Sequence, residues 1–347
     1  MTDRPSTGLR ERLQSGPVVC AEGYLFELER RGYLQAGAFV PEVVLENPDK
    51  VVQLHQEFVD AGSDVVEAFT YYAHREKLRL IGKEHLLERL NREALNIAGG
   101  VARATGTLLA GDICNTNVFE PDSRPVGDQV RAMFSEQVGW AVDEGVDFVI
   151  GETFDYAGEA LIALDVVREA GLPAVITLAV HQVPRTRDGW TVAEAGRRLA
   201  DAGADVVGLN CARGPRTMLP LLEELVPAVD VPVAALPVPY RTHAAEPTFQ
   251  SLSDPQRPGS RPFPVDLDPF TCTRDEITDF TRAARDLGAR YFGVCCGAGP
   301  HHIRAMAEAL GRTPAASRYS ADMSKHAFLG TDPSLRAHNL DFGRREF

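Results

Sequence analysis

Three observations predict an α/β protein of the closed type, a single-domain (β/α)8 TIM barrel. Short β-branched runs alternate with longer segments of helical period almost from end to end. Eight such runs occur, at 18–22, 64–69, 107–113, 147–153, 174–180, 205–210, 232–237 and 291–295. The first run leads into CAEGYLF, which is not the G-x-G-x-x-G loop of a doubly wound open sheet. Right-handed crossovers repeated eight times close the sheet on itself.

The helical segments follow in order. Val51, Leu54, Phe58 and Val59 mark one apolar stripe, opened by Asn47 as N-cap and Pro48 in the first turn. Thr191 with Glu194, and Thr273 with Glu276, have capping-box spacing; the second precedes the stripe Ile277, Phe280, Ala284 and Leu287. One phrase recurs before strands two, four, six and eight: AGSDVV, EGVDFV, AGADVV and LGARYF. Its glycine suits the left-handed residue that ends a helix, so each is a helix-to-strand turn. Residues 239–271, rich in Pro, Ser and Asp, form a long loop after strand seven, expected to be a lid or disordered. Residues 313–347 are a polar extension. The expected division is therefore a barrel over 1–312 and a C-terminal arm over 313–347.

Composition narrows the function. With 347 residues and 44% hydrophobic content, the chain can bury a large core. The net charge of −13 disfavours general binding to nucleic acid. No apolar run approaches the length of a membrane span. The first twenty residues lack the apolar core of a leader, so a cytoplasmic protein is expected. Six cysteines are too few for a disulfide scaffold, and grouped cysteines then read as metal or catalytic ligands.

In a barrel the chemistry lies on the loops after the strands. Strand six ends GLNC and strand eight ends GVCCG, which brings Cys211, Cys295 and Cys296 to one rim. Three thiolates with no fourth nearby fit an open zinc site that keeps one position for substrate. Cys20, Cys114 and Cys272 read as small buried hydrophobes.

GLNC followed by GVCCG resembles the zinc-dependent homocysteine S-methyltransferase family, whose usual second motif is GGCCG, and most of all its betaine-dependent members. The similarity runs through ELERRGYLQAG (27–37), LHQEFVDAGSDVVEAFTYYAHREKL (54–78) and GARYFGVCCGAGPHHIRAMAEAL (288–310). It implies one Zn2+ held by Cys211, Cys295 and Cys296, no organic cofactor, and no protein nucleophile beyond the activated thiolate of the substrate itself. The implied reaction moves a methyl group from glycine betaine, or a close onium analogue, to homocysteine, giving methionine and dimethylglycine.

The resemblance also distributes substrate roles. Glu152, in VIGETF, is expected to hold the ammonium of homocysteine. The family's Asp-Gly pair on the first strand is replaced by Ala21 and Glu22, so Glu22, with Gly23, is the candidate replacement anchor. Phe39, Tyr71 and Tyr72 are expected to face the methyl donor, because a quaternary ammonium donates no hydrogen bonds and is recognised by aromatic faces. Phe39 stands where betaine-dependent members have tryptophan. Thr153 stands where they have an aromatic residue. His301 and His302 are expected to open the last barrel helix, not to bind metal.

Two other readings stand beside this one. The donor could be S-methylmethionine, dimethylsulfoniopropionate or another methylated amine. Alternatively the altered CAEGY segment leaves a non-catalytic zinc or thiol barrel. The partners expected are small molecules, with no nucleic acid and no membrane, and a dimer or tetramer is favoured because the extension is similar to the family's assembly arm.

Overall fold

The computed structural model describes residues 8–347; residues 1–7, which begin both the twenty-residue stretch and the 1–312 span considered above, lie outside the described residues. Eight parallel strands close in chain order: β1 Val18–Ala21, β2 Val65–Glu67, β3 Leu108–Cys114, β4 Phe148–Phe154, β5 Ala174–Leu178, β6 Val206–Asn210, β7 Val233–Leu236 and β8 Tyr291–Val294. Each coincides with a run read from the sequence, and β3 and β4 extend one residue further. The fold is a (β/α)8 barrel.

Side chains on a strand alternate between faces, so each strand feeds two cores. Val19, Val66, Leu109, Val149, Ile176, Val207, Ala235 and Phe292 point outward into the layer shared with the helices. Their neighbours point inward: Val18, Cys20, Val65, Leu108, Ala110, Phe148, Ile150, Val175, Val206, Ala234, Leu236 and Tyr291. Leu9 and Leu13, from helix Leu9–Ser15, join this inner cluster beside the strand starts.

The recurring turn phrase has a structural reason. Asp64 donates its N–H to Val19 O at 2.7 Å, and its carboxylate accepts the N–H of Val19 at 2.8 Å. Asp147 makes the same pair with Leu109 (2.9 and 2.8 Å), and Asp205 makes it with Ala174 (2.9 and 3.0 Å). Each aspartate thus staples the strand it opens to the one before it in the barrel, β2 to β1, β4 to β3 and β6 to β5. The fourth phrase carries Arg290, which instead donates to Leu13 O at 2.7 Å.

Both capping boxes are present, at Thr191 and Thr273. Asn47 departs from expectation: Pro48 does open helix Pro48–Asp60, yet the Asn47 side chain makes no cap bond. Its backbone (φ −141°, ψ 59°) is not the extended conformation from which an N-cap side chain reaches the first turn. His302 opens helix Pro300–Ala309 as expected, its Nδ1 accepting the N–H of Gly299 at 3.1 Å.

The 239–271 loop is packed against the barrel. Phe249, Leu252 and Leu267 are buried, and Tyr240 stacks on Phe249 at 5.8 Å between ring centroids. The 313–347 extension folds its end into helix Ala337–Glu346, where Phe328 meets Phe342 at 5.6 Å and Tyr319, Leu329 and Phe347 remain exposed. Among the described residues, no helix is long and apolar enough to cross a membrane.

Candidate active site

Continuing the inward register of each strand by two residues turns the apolar interior into a polar layer. Above Cys20, Val65, Ala110 and Ile150 stand Glu22, Glu67, Asp112 and Glu152; Asn210 and Cys295 complete the layer from β6 and the end of β8. All four carboxyls are buried. Gly293 lies beneath Cys295 because a Cβ there would meet Cys20 O at 2.2 Å, a distance no side chain tolerates.

Burial raises the proton affinity of these acids, and their mutual repulsion adds to it. Glu22 is pushed well up by burial, then by Glu152 and Asp112; Glu67 and Asp112 move the same way. Glu152 is raised to about 8 by burial and by the Cys211 thiolate, opposed by hydrogen bonds from Thr153 and Asn210. Both oxygens of Glu22, Oε1 of Glu67 and Oδ1 of Asp112 have no protein partner. Buried polar atoms in that condition face a ligand or water. They line a small, tight cavity whose remaining walls include Tyr24, Phe69, Tyr71, Cys295 and Cys296.

Cys211, Cys295 and Cys296 form one corner of this layer. Their sulfurs lie within 4.8 Å of one another, and all three are buried and free of disulfides. Hydrogen bonds from Cys295 and Cys296 pull the Cys211 thiol well below its ordinary range, whereas their bonds to Cys211 and burial push the other two up. Tetrahedral zinc holds sulfurs at about 2.3 Å, which sets them about 3.8 Å apart, and this trio can adopt that spacing. The other cysteines stand apart from the trio: Cys20 lies with Glu22 and Glu67, Cys114 accepts the N–H of Tyr72 at 3.3 Å, and Cys272 is buried elsewhere.

On the far side of the trio opens an aromatic cavity of about 170 Å³, walled by Phe26, Phe39, Tyr71, Tyr72, Phe249 and Phe263. Cys211, Cys296 and Thr153 also line it. Tyr71 and Tyr72 lie 4.2 Å apart, ring to ring. Six of the seven non-glycine residues with positive φ among the described residues border this cavity: Phe39 (55°), Tyr72 (60°), Asn117 (64°), Thr153 (60°), Cys211 (57°) and Ala212 (53°). Such a conformation costs about 1–3 kcal/mol for a residue with a side chain, more for branched Thr153, and clusters where a ligand is held. Asn210 fixes Thr153: its Oδ1 accepts the Thr153 N–H at 2.9 Å, and its Nδ2 donates to Thr153 Oγ1 at 3.0 Å and to Glu152 Oε2 at 2.5 Å.

The sequence-derived candidates therefore divide between two chambers that share Leu25, Tyr71 and Cys296. Glu22 and Glu152 line the acidic chamber; Phe39, Tyr72 and Thr153 line the aromatic one; Tyr71 lines both. Gly23 lines neither, and its Cβ would meet Ala298 O at 2.4 Å, so glycine there lets β1 and the end of β8 approach. Glu67, Asp112, Asn210, Phe26, Phe249 and Phe263 belong to the site although none of them is given a role above. Glu67 and Asp112 nonetheless carry a signal, each being an acid at an inward position of an otherwise apolar strand.

These features define a methyltransferase: a model of the homocysteine S-methyltransferase family matches residues 19–310, and the chain belongs to that family. It is 35% identical to betaine–homocysteine S-methyltransferase 1 of Xenopus tropicalis over 342 residues, 95% of this chain and 83% of that protein. It is 34% identical to S-methylmethionine–homocysteine S-methyltransferase BHMT2 of Mus musculus, across 99% of this chain and 92% of the relative. The metallated homocysteine methyltransferase MmuM from Escherichia coli superposes with a TM-score of 0.67 at 19% identity, covering 86% of this chain and 98% of that one, and shares the fold.

Proposed function

We propose that the protein transfers a methyl group from an onium donor, glycine betaine or a close analogue, to the thiol of homocysteine, with Cys211, Cys295 and Cys296 holding zinc. The observation that carries this is the meeting of an acidic and an aromatic chamber at one cysteine trio. Zinc, when bound there, would lower the pKa of the substrate thiol so that it is a thiolate at neutral pH.

In this reading the acidic chamber receives homocysteine. Its ammonium meets Glu152 and Glu22, and ion pairing on binding restores the ionised carboxylates that burial disfavours. The aromatic chamber receives the donor, with Phe39, Tyr71 and Tyr72 around the onium head. The sulfur attacks a methyl carbon opposite the onium atom. An S–C bond forms, the C–N bond breaks, and its electron pair leaves on a neutral tertiary amine. No acid is required, because the leaving group departs uncharged. The residues supply orientation, which alone can lower such a bimolecular barrier by several kcal/mol.

A panel of donors (glycine betaine, S-methylmethionine, dimethylsulfoniopropionate) is incubated with homocysteine and zinc-loaded protein, and methionine is read by mass spectrometry. Methionine from glycine betaine alone supports the donor assignment. Methionine from S-methylmethionine alone moves the protein to the donor named for its mouse relative, and none from any donor overturns the reading.

A further inference from the structure

The ammonium and the carboxylate of homocysteine hang from one carbon, so the groups beside the ammonium also meet the carboxylate. The acidic chamber offers that carboxylate no cation. Among the side chains lining it there is no lysine, arginine or histidine, and its only hydroxyls are those of Tyr24 and Tyr71. It presents four acids instead, Glu22, Glu67, Asp112 and Glu152. One oxygen each of Glu22 and Glu152 lies within 4.8 Å of the other and of Cys295 Sγ. Glu67, Asp112 and Glu152 form a second group of the same spacing, with no cysteine of the trio in it. Glu152 is common to both. A molecule with its sulfur at the trio and its ammonium at Glu152 therefore brings its carboxylate beside Glu67 and Asp112.

These two acids are held on strands and are free to bond a ligand. Glu67 ends β2 beside Ala110, and Asp112 lies in β3, where its backbone O accepts the Thr70 hydroxyl at 2.7 Å. Glu67 is 3% exposed and Asp112 5%, and Glu67 Oε1 and Asp112 Oδ1 have no hydrogen-bond partner in the protein. Charge then decides their protonation. The charges of homocysteine's ammonium and carboxylate cancel, so four ionised acids would leave four uncompensated negative charges in a buried space. The ammonium relieves Glu152 and Glu22. Neither Glu67 nor Asp112 has a basic partner among the described residues, and burial with the neighbouring acids raises both well above the ordinary carboxylate range. A neutral carboxyl carries an O–H donor, and its bond to a carboxylate is short and charge-assisted.

We infer that Glu67 and Asp112 bind the carboxylate of the methyl acceptor, each donating a hydrogen bond from a neutral acid, while Glu22 and Glu152 take its ammonium. This rests on the proposed function for the identity of the acceptor, and adds the residues that read its second charged group. It also gives the chamber a selectivity: an amino-acid thiol is held at both groups, a simple aminothiol at one.

The test compares homocysteine with 3-aminopropanethiol, the same aminothiol without the carboxylate, on zinc-loaded wild type, Glu67→Ala and Glu67→Gln. Titration calorimetry gives affinity without turnover, and methionine formation with the donor panel gives kcat/KM for homocysteine. Wild type should bind homocysteine at least about tenfold tighter than 3-aminopropanethiol, the worth of one charge-assisted hydrogen bond. Glu67→Ala should weaken homocysteine about tenfold more than it weakens 3-aminopropanethiol, and Glu67→Gln, whose amide also donates, should recover most of that loss. Equal or tighter binding of 3-aminopropanethiol to wild type overturns the assignment, and it needs no variant to fold. Glu67→Gln as weak as Glu67→Ala toward homocysteine overturns it too, since the acid would then act through its charge. Homocysteine binding that depends on Glu67 in the expected way, with no methionine from any donor, keeps the carboxylate assignment and sinks the methyl-transfer reading instead.

Discussion

Asn210 offers the sharpest test of how the site is held. It is buried, and its side chain makes two hydrogen bonds with Thr153, donates one to Glu152 Oε2 and makes a long one to Cys295 Sγ at 3.9 Å. Asn210→Ala removes these bonds, leaves the Thr153 N–H without a partner and leaves Glu152 Oε2 with the Thr153 hydroxyl alone, at 3.0 Å. A neutral bond is worth about 0.5–1.5 kcal/mol and one to a charged group about 1.5–3, so with partial relaxation the loss should be about 3–4 kcal/mol. Thr153 would also be released from its left-handed conformation, φ 60°, which it holds against its own preference. The assay is urea unfolding followed by circular dichroism, alongside the acceptor KM. The midpoint should drop clearly and KM should rise, with Asn210→Ser recovering part of both. A loss below about 1 kcal/mol with unchanged KM would show that the Glu152–Thr153 corner is held by something else, and the reasoning from Asn210 would be wrong.

Cys211→Ser and Cys295→Ser should abolish stoichiometric zinc as measured by metal analysis, while Cys272→Ser keeps it; full zinc in the first two would refute the ligand assignment. Phe39→Leu removes a π face worth about 0.5–2 kcal/mol, so an onium donor should weaken about 2- to 30-fold, whereas a neutral isostere should change little. Glu159 is raised to about 7, chiefly by burial, while accepting Thr116 N–H and Oγ1–H. A carboxyl whose folded pKa lies above its unfolded value of about 4.5 keeps a proton longer when folded. Stability therefore falls as pH rises from about 4.5 to 7, by up to roughly 3 kcal/mol. Glu159→Gln keeps the acceptor oxygen and should flatten that slope, seen as urea midpoints at pH 5 and pH 8 that differ less than in wild type. Asp147→Ala breaks the carboxylate half of a strand staple and should cost about 1–3 kcal/mol in the same assay.

What is legible in the sequence is whatever has a period or a motif. Strand positions follow from β-branched runs, and the inward register then aligns Glu22, Glu67, Asp112 and Glu152 without further information. The cysteine trio is visible because two short motifs end predicted strands. The aromatic wall is only half visible. Phe39, Tyr71 and Tyr72 sit in local patterns, whereas Phe249 and Phe263 arrive from the 239–271 loop, whose non-repeating backbone leaves no periodicity to read. Phe26 lies on a helix, where an aromatic has the same spacing whether it packs inward or lines a cavity. Asn210 lies beside a recognised cysteine, but its value depends on the left-handed turn at Thr153, which is set by tertiary contacts across the barrel.

The aspartate staples have a consequence for the order in which the barrel comes apart. They join β1 to β2, β3 to β4 and β5 to β6, while β7 and β8, held together over Ala234–Tyr291 and Ala235–Phe292, have no such tie among the described residues. Taking the strands in consecutive pairs, β7–β8 is thus the pair without a staple, and hydrogen exchange should be faster there than it would be with an aspartate in place of Arg290. Cys211 follows β6, and Cys295 and Cys296 follow β8, so a metal on the three sulfurs would bridge across β7 from above. Loading the metal would then do more than prepare the chemistry: it would add a tie over the strand pair that has no aspartate staple.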